Sequence, residues 1–147
     1  IFKCAIGKAG VKNNKKEGDK STPRGLFSLG KIYFRPDRVS PPLTNLKLVR
    51  INKYMGWCND PKNKNYNKEI KTNNKIKHEK LFRKDSLYDY LMIINYNTKK
   101  PKPFLGSAIF LHLTKNYKPT LGCIAIKKKD FLIIAQLLNK KTKIKID

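Results

Sequence analysis

Only one stretch of this chain repeats its apolar side chains at helical spacing. Within 129–138, Phe131, Ile134, Ala135 and Leu138 lie 3, 4 and 7 residues apart, the stripe that one face of an amphipathic helix turns toward a core. Asp130 in its first turn and Lys140 and Lys141 just past its end suit the helix dipole. Elsewhere the apolar residues come in short β-prone runs, at 2–6, 26–29, 32–34, 46–51, 90–96, 108–113, 122–126 and 143–146. Runs of that length, bounded by glycine, proline, lysine and asparagine, read as strands. Gly30 marks a turn or bulge, and Pro36, Pro41 and Pro42 break the chain before the 46–51 run. Residues 58–80 are Lys/Asn-rich and poor in apolar side chains, and a connection of that length is either functional or mobile. The expected fold is mainly β, with one C-terminal helix and long loops. At 147 residues it fits a single domain, 1–147, with its own core.

The formal charge of +24 is the strongest compositional signal and invites a nucleic-acid reading. Only five of the 34 basic residues are arginine (Arg24, Arg35, Arg38, Arg50 and Arg83). Base readout and bidentate phosphate recognition favour arginine over lysine. Lysine, asparagine and isoleucine, all abundant here, share A- and T-rich codons. Coding bias therefore accounts for the lysines, and no specific nucleic-acid partner is expected. Non-specific attraction to phosphate or to an anionic cell wall follows from the charge alone.

No apolar run approaches the roughly 20 residues of a membrane span, and nothing resembles a secretory leader. Ile1 opens the chain inside a strand-like run, so the N-terminus is expected to be trimmed. Three cysteines, Cys4, Cys58 and Cys123, cannot all pair within the chain, and no spacing of Cys and His suggests zinc. At least one thiol is free.

Cys123 has the most suggestive surroundings. It follows Gly122 directly after the turn Pro119-Thr-Leu and precedes Ile124. A glycine before a nucleophile lets the backbone turn sharply and brings amide N–H groups toward a developing oxyanion. The amides of Gly122 and Cys123 are the candidate donors. His112 ends the apolar run 108–113, eleven positions earlier. If that run pairs beside 122–126, imidazole and thiol meet at one rim, the arrangement that activates a cysteine for acyl transfer. A cysteine and a histidine at such a separation are more commonly a buried thiol and a packed imidazole. Thr120 is a candidate partner for His112 or a substrate, and otherwise an ordinary turn residue. Cys58 beside Trp57 reads as a small buried hydrophobe, and His78 as a solvated or locally bonded histidine. Trp57, Tyr88 and Tyr96 are core aromatics by default and potential groove walls.

The segments Ser107-Ala-Ile-Phe-Leu-His112 and Pro119-Thr-Leu-Gly-Cys123-Ile-Ala-Ile resemble the catalytic signature of YkuD-type L,D-transpeptidases. There a histidine on one strand is followed by a loop and a Ser/Thr-x-Gly-Cys element. A second block, Glu17-Gly-Asp19-Lys-Ser-Thr22-Pro23-Arg-Gly25-Leu-Phe27, resembles the family's Thr-Pro-x-Gly-x-Phe turn into a core strand. Gly56-Trp57-Cys58-Asn-Asp60-Pro61 and His78-Glu-Lys-Leu-Phe-Arg83-Lys-Asp85-Ser-Leu-Tyr88-Asp89 resemble a compact branch of these proteins. Many members carry a histidine two positions before the cysteine and an arginine two after it, where this chain has Leu121 and Ala125.

The resemblance implies a mixed β-sandwich and a cysteine acyl-enzyme on peptidoglycan stem peptides, with Cys123 as nucleophile and His112 as base. Gly122 and Thr120 would support the site. It implies 3→3 cross-links between donor and acceptor stems, with hydrolysis on the same scaffold or a binding module without activity as alternatives. No metal or organic cofactor is implied. The expected setting is the cell envelope or periplasm, and the expected state a monomer. With Leu121 and Ala125 in place, thiolate stabilisation would rest on His112, backbone amides and a more distant cation.

Overall fold

The computed structural model describes residues 1–72 and 75–147. Its elements, in order, are β1 (Cys4–Ala5), β2 (Val11–Lys12), β3 (Thr22–Pro23), β4 (Gly25–Phe34), β5 (Leu48–Arg50), β6 (Met55–Cys58), β7 (Glu69–Lys71), β8 (His78–Lys80), β9 (Tyr90–Ile94), β10 (Phe110–Leu113), β11 (Ile124–Ile126), α1 (Lys128–Leu137) and β12 (Lys143–Ile146). Among the described residues the fold is mainly β with one helix, as expected from the periodicity.

The principal sheet runs β1-β11-β10-β9-β4-β12, with β5 also paired to β4. Most neighbours are antiparallel, but β10 and β11 run parallel, with Leu111 opposite Ile124 and His112 opposite Ala125. Strand β4 is long enough to serve two partners along one edge: Gly25–Ser28 pair with β12, and Ile32–Phe34 with β5. Its register against β9 shifts between Leu29 and Ile32, so Gly30 sits at a bulge within a continuous strand.

Alternation along the strands sorts the sheet into two faces. On one, Ile32, Phe34, Met92, Ile94, Leu111, Leu113, Ile124 and Ile126 pack against Phe131 and Ala135 of the helix. On the other, Tyr33, Leu91, Ile93 and Phe110 meet Ile51, Trp57, Leu81 and Tyr88. Because both faces are covered, every residue of β9 is buried and the strand reads as an unbroken apolar run.

The helix begins at Lys128, with Asp130 in its first turn and no side-chain cap at Lys127. Phe131, fully buried, anchors it by stacking on Tyr90 at 5.6 Å between ring centroids.

The 58–80 stretch requires a correction. It is not a structureless connection: β7 and β8 flank β6 in a three-stranded antiparallel sheet. Hydrogen bonding, not apolar periodicity, holds it. Asn67 is 2% exposed and accepts from the Trp57 indole at 2.8 Å and from the Ala108 amide at 3.0 Å. Its own amide group donates to the Tyr96 and Asn97 carbonyls. A buried asparagine satisfied on all sides behaves as a structural node, although in sequence it looks like a loop residue. Residues 73–74 of this stretch lie outside the described residues.

Phe131 is fully buried and stacked on Tyr90, so truncating it leaves a cavity in the core. Phe131→Ala is expected to cost about 3–5 kcal/mol of unfolding free energy, read as a lowered urea midpoint with an unchanged m-value.

Candidate active site

The turn before β11 is fixed from three sides. From within, Thr120 Oγ1 donates to the Cys123 carbonyl at 2.6 Å and accepts from the Gly122 amide at 3.1 Å. From the N-terminal segment, the Thr120 amide donates to the Ile6 carbonyl at 2.9 Å, and the Lys8 amide donates to the Thr120 carbonyl at 2.9 Å. From the Thr22-Pro23 turn, the fully buried Thr22 hydroxyl donates to the Gly122 carbonyl at 2.9 Å and accepts from the Gly7 amide at 2.8 Å. Gly122 has φ +144°, and a Cβ there would stand 2.8 Å from the Ser21 carbonyl oxygen. Only glycine fits both the dihedral and the space. The two sequence blocks, a hundred residues apart, thus meet at one hydroxyl.

Cys123 is half-buried, whereas Cys58 is buried and Cys4 exposed. Its sulfur lies on the inward side, accepting from the Phe110 amide at 3.4 Å and donating to the Ala108 carbonyl at 3.2 Å. Ala108 holds φ +54°, a rare conformation for a residue with a side chain, and Asn67 braces its amide. Burial pushes the Cys123 thiol up to about 12, against the Phe110 amide and the positive charges of Lys15 and Arg83. The resting cysteine is a thiol.

His112 sits on β10 beside Ala125, with Cys123 two residues before that partner, so imidazole and thiol share a face of two adjacent strands. The imidazole is 6% exposed. Its Nδ1 lies 2.8 Å from the Leu113 carbonyl oxygen. A carbonyl can only accept, so Nδ1 carries a proton, and the Leu87 backbone is a further hydrogen-bond partner of the ring. Burial pushes His112 down to about 4, although the Leu113 carbonyl favours the charged form.

Aromatic and charged groups from the small sheet and the loop after it close over this pair. Tyr88 lies edge-on to His112 at 5.2 Å and to Phe110 at 5.9 Å, and Trp57 edge-on to Phe110 at 5.3 Å. The Tyr88 hydroxyl donates to Glu79 at 2.9 Å, Glu79 pairs with Arg83 at 3.3 Å, and Arg83 pairs with Asp85 at 2.6 Å. Tyr96, by contrast, packs on Phe27 and bonds the Leu105 carbonyl. His78 bonds locally, its Nδ1 2.6 Å from the Ile76 carbonyl.

The expected residues therefore converge, with two particulars the sequence did not give. Thr120 applies its hydroxyl to the turn itself. With the Gly122 amide bonded to Thr120, the Cys123 amide is the member of the expected donor pair that has no acceptor among the described residues. Sequence reasoning missed Asn67 and Lys15. Both are buried but belong to the chain's commonest polar types, and no pattern separates them from their solvated counterparts. Among the described residues no group of three His, Cys, Asp or Glu side chains is placed to hold a metal ion.

In comparison with known families, the model of the YkuD family, an L,D-transpeptidase catalytic domain, matches residues 1–146. Searches of curated proteins and of solved structures give no match.

Thr22→Val keeps shape but leaves the Gly7 amide and Gly122 carbonyl unpaired in a buried place. A loss of about 1–3 kcal/mol per orphaned group is expected, measured by denaturant unfolding. His112 adds a pH signature. Its folded value lies below the ordinary 6.5, so the unfolded chain binds the proton first as pH falls. Stability present above pH 6.5 therefore declines as pH drops toward 4, by about 3 kcal/mol in all. In His112→Gln that component of the pH–stability curve should vanish.

Proposed function

The chain belongs to the YkuD family of L,D-transpeptidase catalytic domains, and on that premise we propose that it cross-links peptidoglycan stem peptides through an acyl-enzyme on Cys123. The observation that carries this reading is the placement of His112 on β10 and of Cys123 directly before its parallel partner β11, on one face of the sheet, with His112 Nδ1 bonded to the Leu113 carbonyl.

The chemistry follows from the two protonation states. A high thiol value and a low imidazole value disfavour a standing thiolate–imidazolium pair. Proton transfer then accompanies attack: as sulfur bonds to the carbonyl carbon of the third stem residue, its proton passes to the His112 imidazole. The tetrahedral oxyanion is met by the Cys123 amide. Collapse breaks the amide bond to the fourth residue, D-alanine, and His112 returns the proton to the departing amine. The side-chain amine of a second stem next attacks the thioester, yielding its proton to His112, and the thiolate recovers that proton as it leaves. The product is a 3→3 cross-link. Water in place of the amine gives a shortened stem.

The turn that carries Cys123 reaches the surface, where Leu121 is 77% exposed, while the sulfur itself faces inward. The cell envelope is the setting this substrate requires. No helix among the described residues is long and apolar enough to cross a membrane.

Carbapenem treatment should add one acyl group, mapped by mass spectrometry to Cys123 and absent in Cys123→Ala. In His112→Ala the acylation rate should fall by about 100-fold or more. No adduct on Cys123, or a rate indifferent to His112, sinks the acyl-enzyme. Digestion of a tetrapeptide stem with and without an acceptor amine then separates cross-linking from hydrolysis by product mass.

A further inference from the structure

Of the many lysines in this chain, Lys15 is set apart by burial: it is 4% exposed overall and its side chain 3%. Ordinary lysines keep their ammonium in water, and burying one is costly unless it is paired. Lys15 is paired, Nζ to Asp19 Oδ1 at 2.9 Å. Asp19 is itself fixed by the Lys16 and Ser21 amides and the Ser21 hydroxyl. Burial opposes ionisation of Asp19, but these bonds and the Lys15 ammonium together hold its carboxyl well below the usual carboxylate range.

The side chain threads between the two loops that frame the thiol. A Cβ built on Gly106 would meet Lys15 Cε at 2.9 Å, and one on Gly122 would meet Lys15 Nζ at 3.4 Å. Both glycines have positive φ, +106° and +144°. Gly106 leads through Ser107 to Ala108, whose carbonyl accepts the thiol, and Gly122 precedes the thiol's own residue. The ammonium is thus lodged against the nucleophile turn on the side of Ser21, while Glu79, Arg83, Tyr88 and His112 face the thiol from the small sheet, the loop after it and β10.

We propose that Lys15, held by Asp19, is a positioning residue for Cys123: it packs the two glycine loops together and its buried positive charge stabilises the negative charge that develops on sulfur. The inference deepens the acyl-enzyme reading and rests on it for its biological meaning. Its physical content, a field acting on one thiol, is measurable without any acyl transfer. A fixed charge in a low-dielectric interior acts over several ångströms with little screening, whereas the solvated lysines of the surface are screened within about 10 Å.

The test is the rate of Cys123 alkylation by iodoacetamide between pH 7 and 9, resolved from Cys4 and Cys58 by peptide mass mapping. It is run on the wild type, Lys15→Met, Lys15→Arg and Asp19→Asn, each verified by near-ultraviolet circular dichroism. Removing the cation should slow alkylation about tenfold at every pH, the effect of one pKa unit on thiolate population well below the pKa. Arginine should restore most of the rate. Asp19→Asn removes the compensating anion and should accelerate alkylation. A merely structural pair would move Lys15→Met and Asp19→Asn in the same direction, and that result, or no change in either, overturns the proposal. If Lys15→Met does not fold, Lys15→Arg and Asp19→Asn decide: a slowed or unchanged Asp19→Asn rejects it. Expected alkylation behaviour with no carbapenem adduct would reject the acyl-enzyme alone, and an adduct with alkylation indifferent to Lys15 would reject the role of Lys15 alone.

Discussion

The hydroxyl of Thr22 is the point on which this site depends. It accepts from Gly7 and donates to Gly122, so one buried oxygen joins the start of the chain, the Thr-Pro turn and the segment that presents Cys123. Both bonded groups are backbone, and neither has water to turn to. The bridge between Gly7 and Thr120 runs alongside it. The turn is therefore held from beneath by the Thr22–Phe27 block, although Cys123 lies a hundred residues further along the chain.

Electrostatics around the thiol are governed by burial more than by neighbouring charge. Two cations, Lys15 and Arg83, bear on Cys123, yet the thiol is still pushed upward, and His112 downward. Each cation is compensated at close range, Lys15 by Asp19 and Arg83 by Glu79 and Asp85. The site is thus locally balanced inside a chain of formal charge +24. The large net charge belongs to solvated lysines such as Lys127, Lys128 and Lys129, where it governs encounter with anionic surfaces and has little hold on the chemistry.

The small sheet β7-β6-β8 gives the thiol its enclosure. Trp57 and Tyr88 cover Phe110, Tyr88 covers His112, and Asn67 links Trp57 to the strained Ala108 that receives the thiol hydrogen. Without this layer, the second face of the principal sheet, with Leu91 and Phe110 at its centre, would lie open to water. The enclosing layer and strands β10 and β11 are one packed unit, so a change in Asn67 reaches Cys123 through two hydrogen bonds.

The sequence alone determined the mainly β class, the helix at the C-terminal end, the central strands and the neighbouring placement of the strand that carries His112 and the strand that follows Cys123. These are carried by local periodicity and by residue types in short, ordered segments. Their edges moved by only a residue or two, and Gly30 became a bulge inside one strand. The tertiary structure alone decided the rest. It turned 58–80 from a polar connection into a sheet, because satisfied buried amides such as Asn67 leave no apolar pattern. It chose Lys15 from among the lysines, because burial is a property of neighbours and not of residue type. It also committed the Thr120 hydroxyl and the Gly122 amide to the turn, since hydrogen-bond partners are settled by three-dimensional proximity and leave no trace in spacing along the chain.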